Sequence, residues 1–324
     1  MPTPILVDTD MALDDWMAVA YLLQTPAADV QAITLAATGE AHARPGVNTA
    51  LRLLALTDAP AIDVASGRKT PLQGGHRFPL VVRLLMDVRF GLSLPRAKHR
   101  PSTKSAVEVL RRKLTEANEP VVMISLGPLT NLAELFDMDP PLTHKVAMLY
   151  VMGGALDVPG NIAELNKRIQ NPHAEWNLFI DPHAAEQVFR SGVPVTLVPL
   201  DATNQVPLTD EYYARLASNL ATPATRFVHR VIRRIRPLLS SERGLCFWDP
   251  LASVLATHPH IGSYEMRTVR VVEDEGEESG RVVDDPAGTR LRVCVGVDQA
   301  AFESIFLAGL NGEAIPAPAV VAAS

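Results

Sequence analysis

A chain of 324 residues, 47% hydrophobic and 20% charged, is long enough to bury a large core as one α/β domain or as two smaller ones, and its composition is that of a folded protein. A formal net charge of -6 with both signs interspersed argues against nucleic acid or an anionic membrane as the main partner. Cys246 and Cys294 make no disulfide framework and no metal knuckle, no signal-peptide pattern opens the chain, and no apolar run reaches membrane length, so a cytoplasmic protein is expected.

Taken in order, Ile5 to Val7 reads as a buried strand that runs into a short loop. Trp16 to Leu23 follows as an apolar run of helical length. Val30 to Ala36 reads as a second strand, closed by Thr38, Gly39 and Glu40, and Pro45 to Leu56 as a helix with Val47, Leu51 and Leu54 at helical spacing. A third short strand is expected at Ile62 to Ala65. The signals weaken from Thr70 to Pro101, where Gly74 to Pro79 reads as a mobile loop and a candidate active-site wall. Ser105 and Glu108 have capping-box spacing and open a helix to about Leu114.

Val121 to Ser125 and Val146 to Met152 are continuous apolar runs of strand length, ending at Gly127-Pro128 and Gly153-Gly154, with a helix from about Asn131 between them. Asp181-Pro182 predicts a capped helix start, and Val195 to Leu200 another buried strand. The chain reads as helical from Thr209 to Leu239. The arginines of Phe227 to Arg236 fit a solvated helix face better than a phosphate grip. Glu265 to Val272 and Arg290 to Val297 predict a late hairpin, whose acidic segment Glu273 to Glu278 reads as a solvated turn or a weak cation site. The expected fold is α/β, with a mostly parallel central sheet, helices on both faces and a late β-hairpin. One domain is expected over residues 1–311, with a frayed tail at 312–324.

The stretch with the most chemistry places Asp8, Asp10, Asp14 and Asp15 within eight residues on one strand-to-helix turn. So many carboxylates together require a cation, protonation or wide separation. Helix capping accounts for Asp14 or Asp15, but leaves Asp8 and Asp10 unexplained. Oxygen donors without His or Cys select Ca²⁺ or Mg²⁺ over zinc. Asp249, before Pro250 and an apolar helix, is the obvious distant donor; a helix N-cap is an equally good local reading, and the two roles are compatible. Asn161, Glu175 and Asn177 offer the amide and carboxylate groups that hold hydroxyl-rich ligands, although in loops such groups are often only solvated. In open parallel sheets the ligand lies at the carboxyl ends of the strands, where Asp8 and Asp10, Glu40, Leu126 and Gly153-Gly154 all fall.

These residues carry a resemblance. Asp8 to Asp15, Gly127-Pro-Leu-Thr-Asn131, Val151-Met-Gly-Gly154, Gly160-Asn161, Glu175-Trp-Asn177, Leu200-Asp-Ala-Thr203 and Trp248-Asp-Pro250 occur in this order over nearly the whole chain. The sequence resembles the nucleoside hydrolase family, enzymes that cleave the N-glycosidic bond of ribonucleosides. The resemblance implies Ca²⁺ at the bottom of the pocket, held by Asp10, Asp15, Asp249 and the carbonyl of Leu126, where the family usually has Thr. A water and the 2'- and 3'-hydroxyls of ribose complete that set. It implies Asp10 as the catalytic base and Asp14 on the 2'-hydroxyl. Asn161, Glu175 and Asn177 are implied on the 3'- and 5'-hydroxyls, with Met152 and Asp249 also facing the sugar and Asp8 orienting the other carboxylates.

Two positions depart from the commonest family pattern. Glu40 stands where Asn is common, and Trp248 stands where His often acts as leaving-group acid; both are similar to the purine-specific branch. That branch has a second Trp between positions 74 and 89. None occurs here, which leaves Phe78 or His76 as a weaker substitute. Trp248 also has the plain reading of a core aromatic. The implied protein is a Ca²⁺-dependent ribonucleoside hydrolase favouring purine nucleosides, a homodimer or homotetramer. Two other readings are a non-catalytic sugar- or calcium-binding protein on the same scaffold and a phosphohydrolase of the haloacid dehalogenase type. The second is disfavoured by Ala12, where that chemistry usually has Thr or Val.

Overall fold

The side chains of successive strand residues point to opposite faces. On the first strand, β1 (Thr3–Thr9), Ile5 and Val7 join one apolar cluster while Leu6 joins a second cluster on the other side. A strand with both faces buried belongs inside a parallel sheet. The computed structural model describes residues 1–238 and 244–315 and shows this sheet. Further strands are β2 (Ala28–Leu35), β3 (Asp63–Ser66), β4 (Val121–Ser125), β5 (Val146–Met152), β6 (Val195–Val198), β7 (Gly262–Val271), β8 (Val282–Asp284) and β9 (Thr289–Val297). Their order across the sheet is β3-β2-β1-β4-β5-β6-β9-β7-β8.

From β3 to β6 every neighbouring pair is parallel, and β9 continues parallel beside β6. The α/β expectation of a mostly parallel sheet covered on both faces therefore holds. The late strands pair antiparallel as expected, but not as a simple hairpin. β7 lies between β9 and the short β8, so the chain adds an outer strand before returning. The acidic segment between β7 and β8 is an exposed turn, as expected, with Glu273 meeting His183 at 2.6 Å and Glu275 meeting His76 at 3.2 Å.

One face of the sheet is covered by helices Leu13–Gln24, Ala43–Leu56, Pro223–Ile235, Trp248–Thr257 and Gln299–Leu310, whose buried residues share the cluster of Ile5 and Val7. The other face carries Ala106–Glu116, Thr130–Met138 and Pro182–Arg190. The Ser105 capping box and the Asp181 cap form as expected, with Ser105 Oγ accepting from Glu108 N and Asp181 from Ala184 N. The stretch expected to be helical from Thr209 divides into Asp210–Ser218 and Pro223–Ile235. Its end at Leu239, and the tail from residue 316 onward, lie outside the described residues.

Helix Leu80–Asp87 is a structural addition to the weakly patterned region. Leu80, Val81 and Leu84 point outward at 63%, 69% and 51% exposure, and only Met86 is buried. Apolar residues on the solvent side remove the polar stripe that makes an amphipathic helix readable. Among the described residues, no helix is long and apolar enough to cross a membrane.

Candidate active site

The turn after β1 is built by its own side chains. Met11 takes φ +58°, a conformation unusual for a residue with a Cβ. Its N–H reaches Thr9 Oγ1 at 3.0 Å and Asp15 Oδ1 at 3.3 Å, while its carbonyl accepts from the Trp16 indole at 2.8 Å. Asp15 Oδ2 accepts from Ala12 N at 2.9 Å. Asp15 therefore serves the helix start from its first turn, and the N-cap position itself is Ala12, which has no polar side chain. Capping and clustering coincide in one residue. At the other donor the two readings separate: the helix Trp248–Thr257 starts before Asp249, so Asp249 is not its N-cap.

The loops after β2 and β4 press against Asp10. A Cβ at Gly39 would collide with the Asp10 carboxyl, and one at Gly127 would lie 2.8 Å from Asp10 Cβ. These positions need glycine for close approach rather than for a special φ. Glu40 N donates to Asp10 Oδ2 at 3.0 Å and Ala12 N donates to Oδ1 at 3.2 Å, so backbone groups orient both oxygens. Beneath them, Asp8 accepts from Thr34 Oγ1 at 2.6 Å and Asn131 Nδ2 at 2.8 Å, and its Oδ2 is buried without a partner.

These groups open into a cavity of about 420 Å³. Its lining includes Asp10, Asp14, Asp15, Glu40, Leu126 and Asp249, together with Met152, Asn161, Glu175 and Asn177. Every residue expected to contact metal or substrate lines this cavity, including Trp248, which is half-buried rather than an enclosed core aromatic. Asp8 does not line it. Glu175 caps helix Trp176–Ile180, accepting from Asn177 N at 2.9 Å and Gly154 N at 3.0 Å. Asn177 Nδ2 in turn donates to the Met152 carbonyl at 3.2 Å and lies 3.5 Å from that of Leu126. Asn161 Oδ1 accepts from Trp176 N at 3.1 Å.

Apolar side chains complete the lining of the cavity. Phe78 lines it and stacks on Trp176 with ring centroids 4.7 Å apart. Of the two proposed substitutes for a second Trp, only Phe78 reaches the cavity; His76 packs on Phe179 at 4.0 Å. Trp176, Val82, Leu85 and Met86 also line it and were not legible as wall residues from the sequence. Trp176 sits inside a quoted motif, and its ring was the available signal. The arginine-rich helix keeps the plainer reading: Arg230 and Arg234 donate to the carbonyls of Ser93 and Phe90.

Burial dominates the electrostatics. It raises Asp8, Asp14 and Glu175 to about 7, and Asp15 is raised chiefly by burial as well. Asp10 is pushed well above the carboxylate range by burial, then by Asp15 and Glu40; Asp249 by burial, then by Asp14 and Asp15. Glu40 is also well above, from burial and then Asp14 and Asp15, with Arg83 opposing. Oxygens of Asp14, Asp15 and Asp249 lie within 4.8 Å of one another. This group includes Asp14, expected on the ribose, and does not include Asp10, expected on the metal; Asp10 and Leu126 line the same cavity. A divalent cation fits this all-oxygen, charge-stressed set.

A pH dependence follows. A carboxyl whose folded-state pKa lies above its unfolded value holds extra protons in the fold, so stability falls as pH rises between the two. For Asp8, Asp14 and Glu175 the interval runs from ordinary values of 3.8 and 4.5 to about 7. In chelator, the thermal midpoint is expected to fall as pH rises through this interval, and added Ca²⁺ to reverse most of the fall. A midpoint independent of pH and of cation would contradict the charge-stressed cluster.

The fold and the cavity define a class: a parallel-sheet α/β protein with a carboxylate-rich centre at the strand ends, facing an apolar wall. The profile of the inosine-uridine preferring nucleoside hydrolases matches residues 5–304, and the chain belongs to that family. It is a nucleoside hydrolase, an N-glycosyl hydrolase. It is 35% identical over 235 residues to the pyrimidine-specific ribonucleoside hydrolase RihA of Escherichia coli O1:K1 / APEC, covering 72% of this chain and 71% of that protein. The solved plant nucleoside hydrolase PpNRh1 superposes with a TM-score of 0.85 at 26% identity, covering 96% of this chain and 99% of that one. The purine-preferring ribonucleoside hydrolase from Gardnerella vaginalis gives 0.81 at 24% identity, covering 96% and 98%, a likeness of fold. Family membership sets aside the phosphohydrolase reading.

Proposed function

We propose that the protein hydrolyses ribonucleosides to ribose and free base in a Ca²⁺-dependent reaction, with purine nucleosides favoured. The observation that carries this is one cavity lined both by a cluster of carboxylates and by apolar and aromatic side chains, which suits a sugar joined to a base. Asp10, Asp15, Asp249 and the Leu126 carbonyl would hold the cation, with Asp14 close enough to share in it. When bound, the cation supplies positive charge that offsets the buried carboxylates and lowers the pKa of water beside it.

Asp10 accepts the proton of the attacking water, its carboxylate aimed by the N–H groups of Ala12 and Glu40. The water oxygen bonds to the anomeric carbon as the bond from that carbon to the base nitrogen breaks, and the electron pair leaves with the base. Positive charge develops on the sugar during this step, and the surrounding carboxylates stabilise it. Asp14, Glu40, Asn161, Glu175 and Asn177 hold the ribose hydroxyls, with Met152 against the ring, and fix the sugar for attack.

Trp248 stacks on the departing base, and the stacked pair Phe78 and Trp176 adds further aromatic lining. Stacking on the larger purine ring favours its protonation as it leaves. The pyrimidine-specific name of the relatives at 35% identity favours a second reading, in which uridine and cytidine are preferred. The test is ribose release from inosine, adenosine, guanosine, uridine and cytidine. The proposal expects a higher kcat/KM for inosine than for uridine. With Trp248→Leu it expects a loss of about tenfold on inosine, the equivalent of one stacking contact, and less on uridine. Faster turnover of uridine supports the pyrimidine reading, and no ribose from any nucleoside would sink both.

A further inference from the structure

We infer that Arg83 is a positioning residue that sets the orientation of Asp10 through the loop of residues 37–41; the inference rests on the reading of Asp10 as the base. Helix Leu80–Asp87 is thinly anchored, with most of its apolar side chains turned to solvent. Arg83 turns inward instead. Its Nη2 donates to the carbonyl of Ala37 at 3.0 Å and to that of Ala41 at 3.3 Å. Those two carbonyls bracket Thr38, Gly39 and Glu40.

The bracketed loop is the backbone partner of Asp10. Glu40 N donates to Asp10 Oδ2 at 3.0 Å, and Ala41 N donates to the Asp10 carbonyl at 3.0 Å. Gly39 packs so closely on the Asp10 carboxyl that no side chain fits between them. Two hydrogen bonds therefore separate the guanidinium from the oxygen of the base, with the short loop of residues 37–41 between. The positive charge also acts on Asp10 and Glu40 directly, which offsets part of the repulsion among the carboxylates. The neighbours of Arg83 on the same helix, Val82, Leu85 and Met86, line the cavity. One short helix thus lines the cavity with three side chains and holds the loop beside Asp10 with the fourth.

The arrangement separates orientation from affinity. Loss of the guanidinium leaves Asp14, Asn161, Glu175 and Asn177 on the ribose side and Asp15 and Asp249 on the cation side in place, but frees the loop that aims Asp10 and carries Glu40. Misplacing a reacting group by about 1 Å costs on the order of a hundredfold in rate. Nη2 serves both carbonyls with its two N–H groups held in the guanidinium plane, whereas an ammonium on a flexible stem is not pre-oriented toward them, so Lys replaces it only in part.

The experiment compares wild type, Arg83→Met and Arg83→Lys on inosine and uridine in saturating Ca²⁺, with kcat, KM and the thermal midpoint measured for each. Arg83→Met is expected to lose about a hundredfold in kcat with KM changed by less than about threefold, and Arg83→Lys to fall between it and wild type. Wild-type kcat in Arg83→Met overturns the inference. Equal losses in both variants, matched by equal drops in the midpoint, overturn it too, since they mark a merely structural residue. Should Arg83→Met fail to fold, Arg83→Lys decides: a lowered kcat at constant KM supports the role, and an unchanged kcat refutes it. A wild-type chain that turns over neither nucleoside refutes Asp10 as base, and the inference with it.

Discussion

Asp10→Asn is expected to lower kcat for the preferred nucleoside by about a thousandfold, the middle of the range for removal of a general base. The substitution keeps the size of the side chain, so the loops of Gly39 and Gly127 still pack against it. Its carbonyl can accept from either Glu40 N or Ala12 N, but the amide nitrogen then faces the other N–H, so one of two orienting bonds is lost. The loss of negative charge also relieves repulsion from Asp15 and Glu40. The metal-free variant should therefore unfold at a temperature no lower than wild type, while activity collapses. A stopped-time ribose assay beside a thermal melt reads both. Asp10→Asn with more than a tenth of wild-type kcat would remove Asp10 from the role of base.

Asp249→Asn is expected to produce the second large effect, and its two parts have opposite signs. Asp249 is buried and held against Asp14 and Asp15, which raise its pKa. Without a cation these charges oppose one another, so the amide should raise the chelated protein's thermal midpoint by about 2 °C, the shift of roughly 1 kcal/mol in a chain of this size class. With Ca²⁺ the order reverses. A ligand that binds only the fold stabilises it by mass action, and the variant has lost one of the converging carboxylates. Activity should fall by more than the roughly hundredfold that loss of a mere supporting partner costs. Midpoints measured in chelator and in Ca²⁺ give both signs from one sample. An Asp249→Asn protein that gains as much from Ca²⁺ as wild type does would show that Asp249 is not part of a cation site.

Much of this was legible because the signals were local. Buried parallel strands announce themselves as apolar runs, and β4, β5 and β6 fell close to their expected places. The acidic turn was legible for the same reason, since its carboxylates are crowded in sequence as well as in space. Asp249 was found through the Trp248-Asp-Pro250 motif, although its distance along the chain hides the contact with Asp14 and Asp15.

The remainder depended on packing between distant segments. Helix Leu80–Asp87 turns apolar side chains both to the cavity and to solvent, which erases the periodic contrast a sequence reading uses. Nothing local in the sequence marks Arg83, because its bonds to Ala37 and Ala41 join segments more than forty residues apart. The left-handed conformation of Met11 had no glycine to signal it; the hydrogen bonds of Thr9, Asp15 and Trp16 impose it. Likewise β8 is three residues long and could not stand out beside the acidic segment before it.

The acidic turn and Asp249 are proposed to form a cation site on which ribonucleoside hydrolysis depends. The most direct test of that dependence is ribose release from inosine and uridine by the wild-type protein, first in chelator and then after Ca²⁺ is restored. Turnover that is absent in chelator and returns with Ca²⁺ is the predicted result. Equal turnover in both conditions, or none in either, would contradict it.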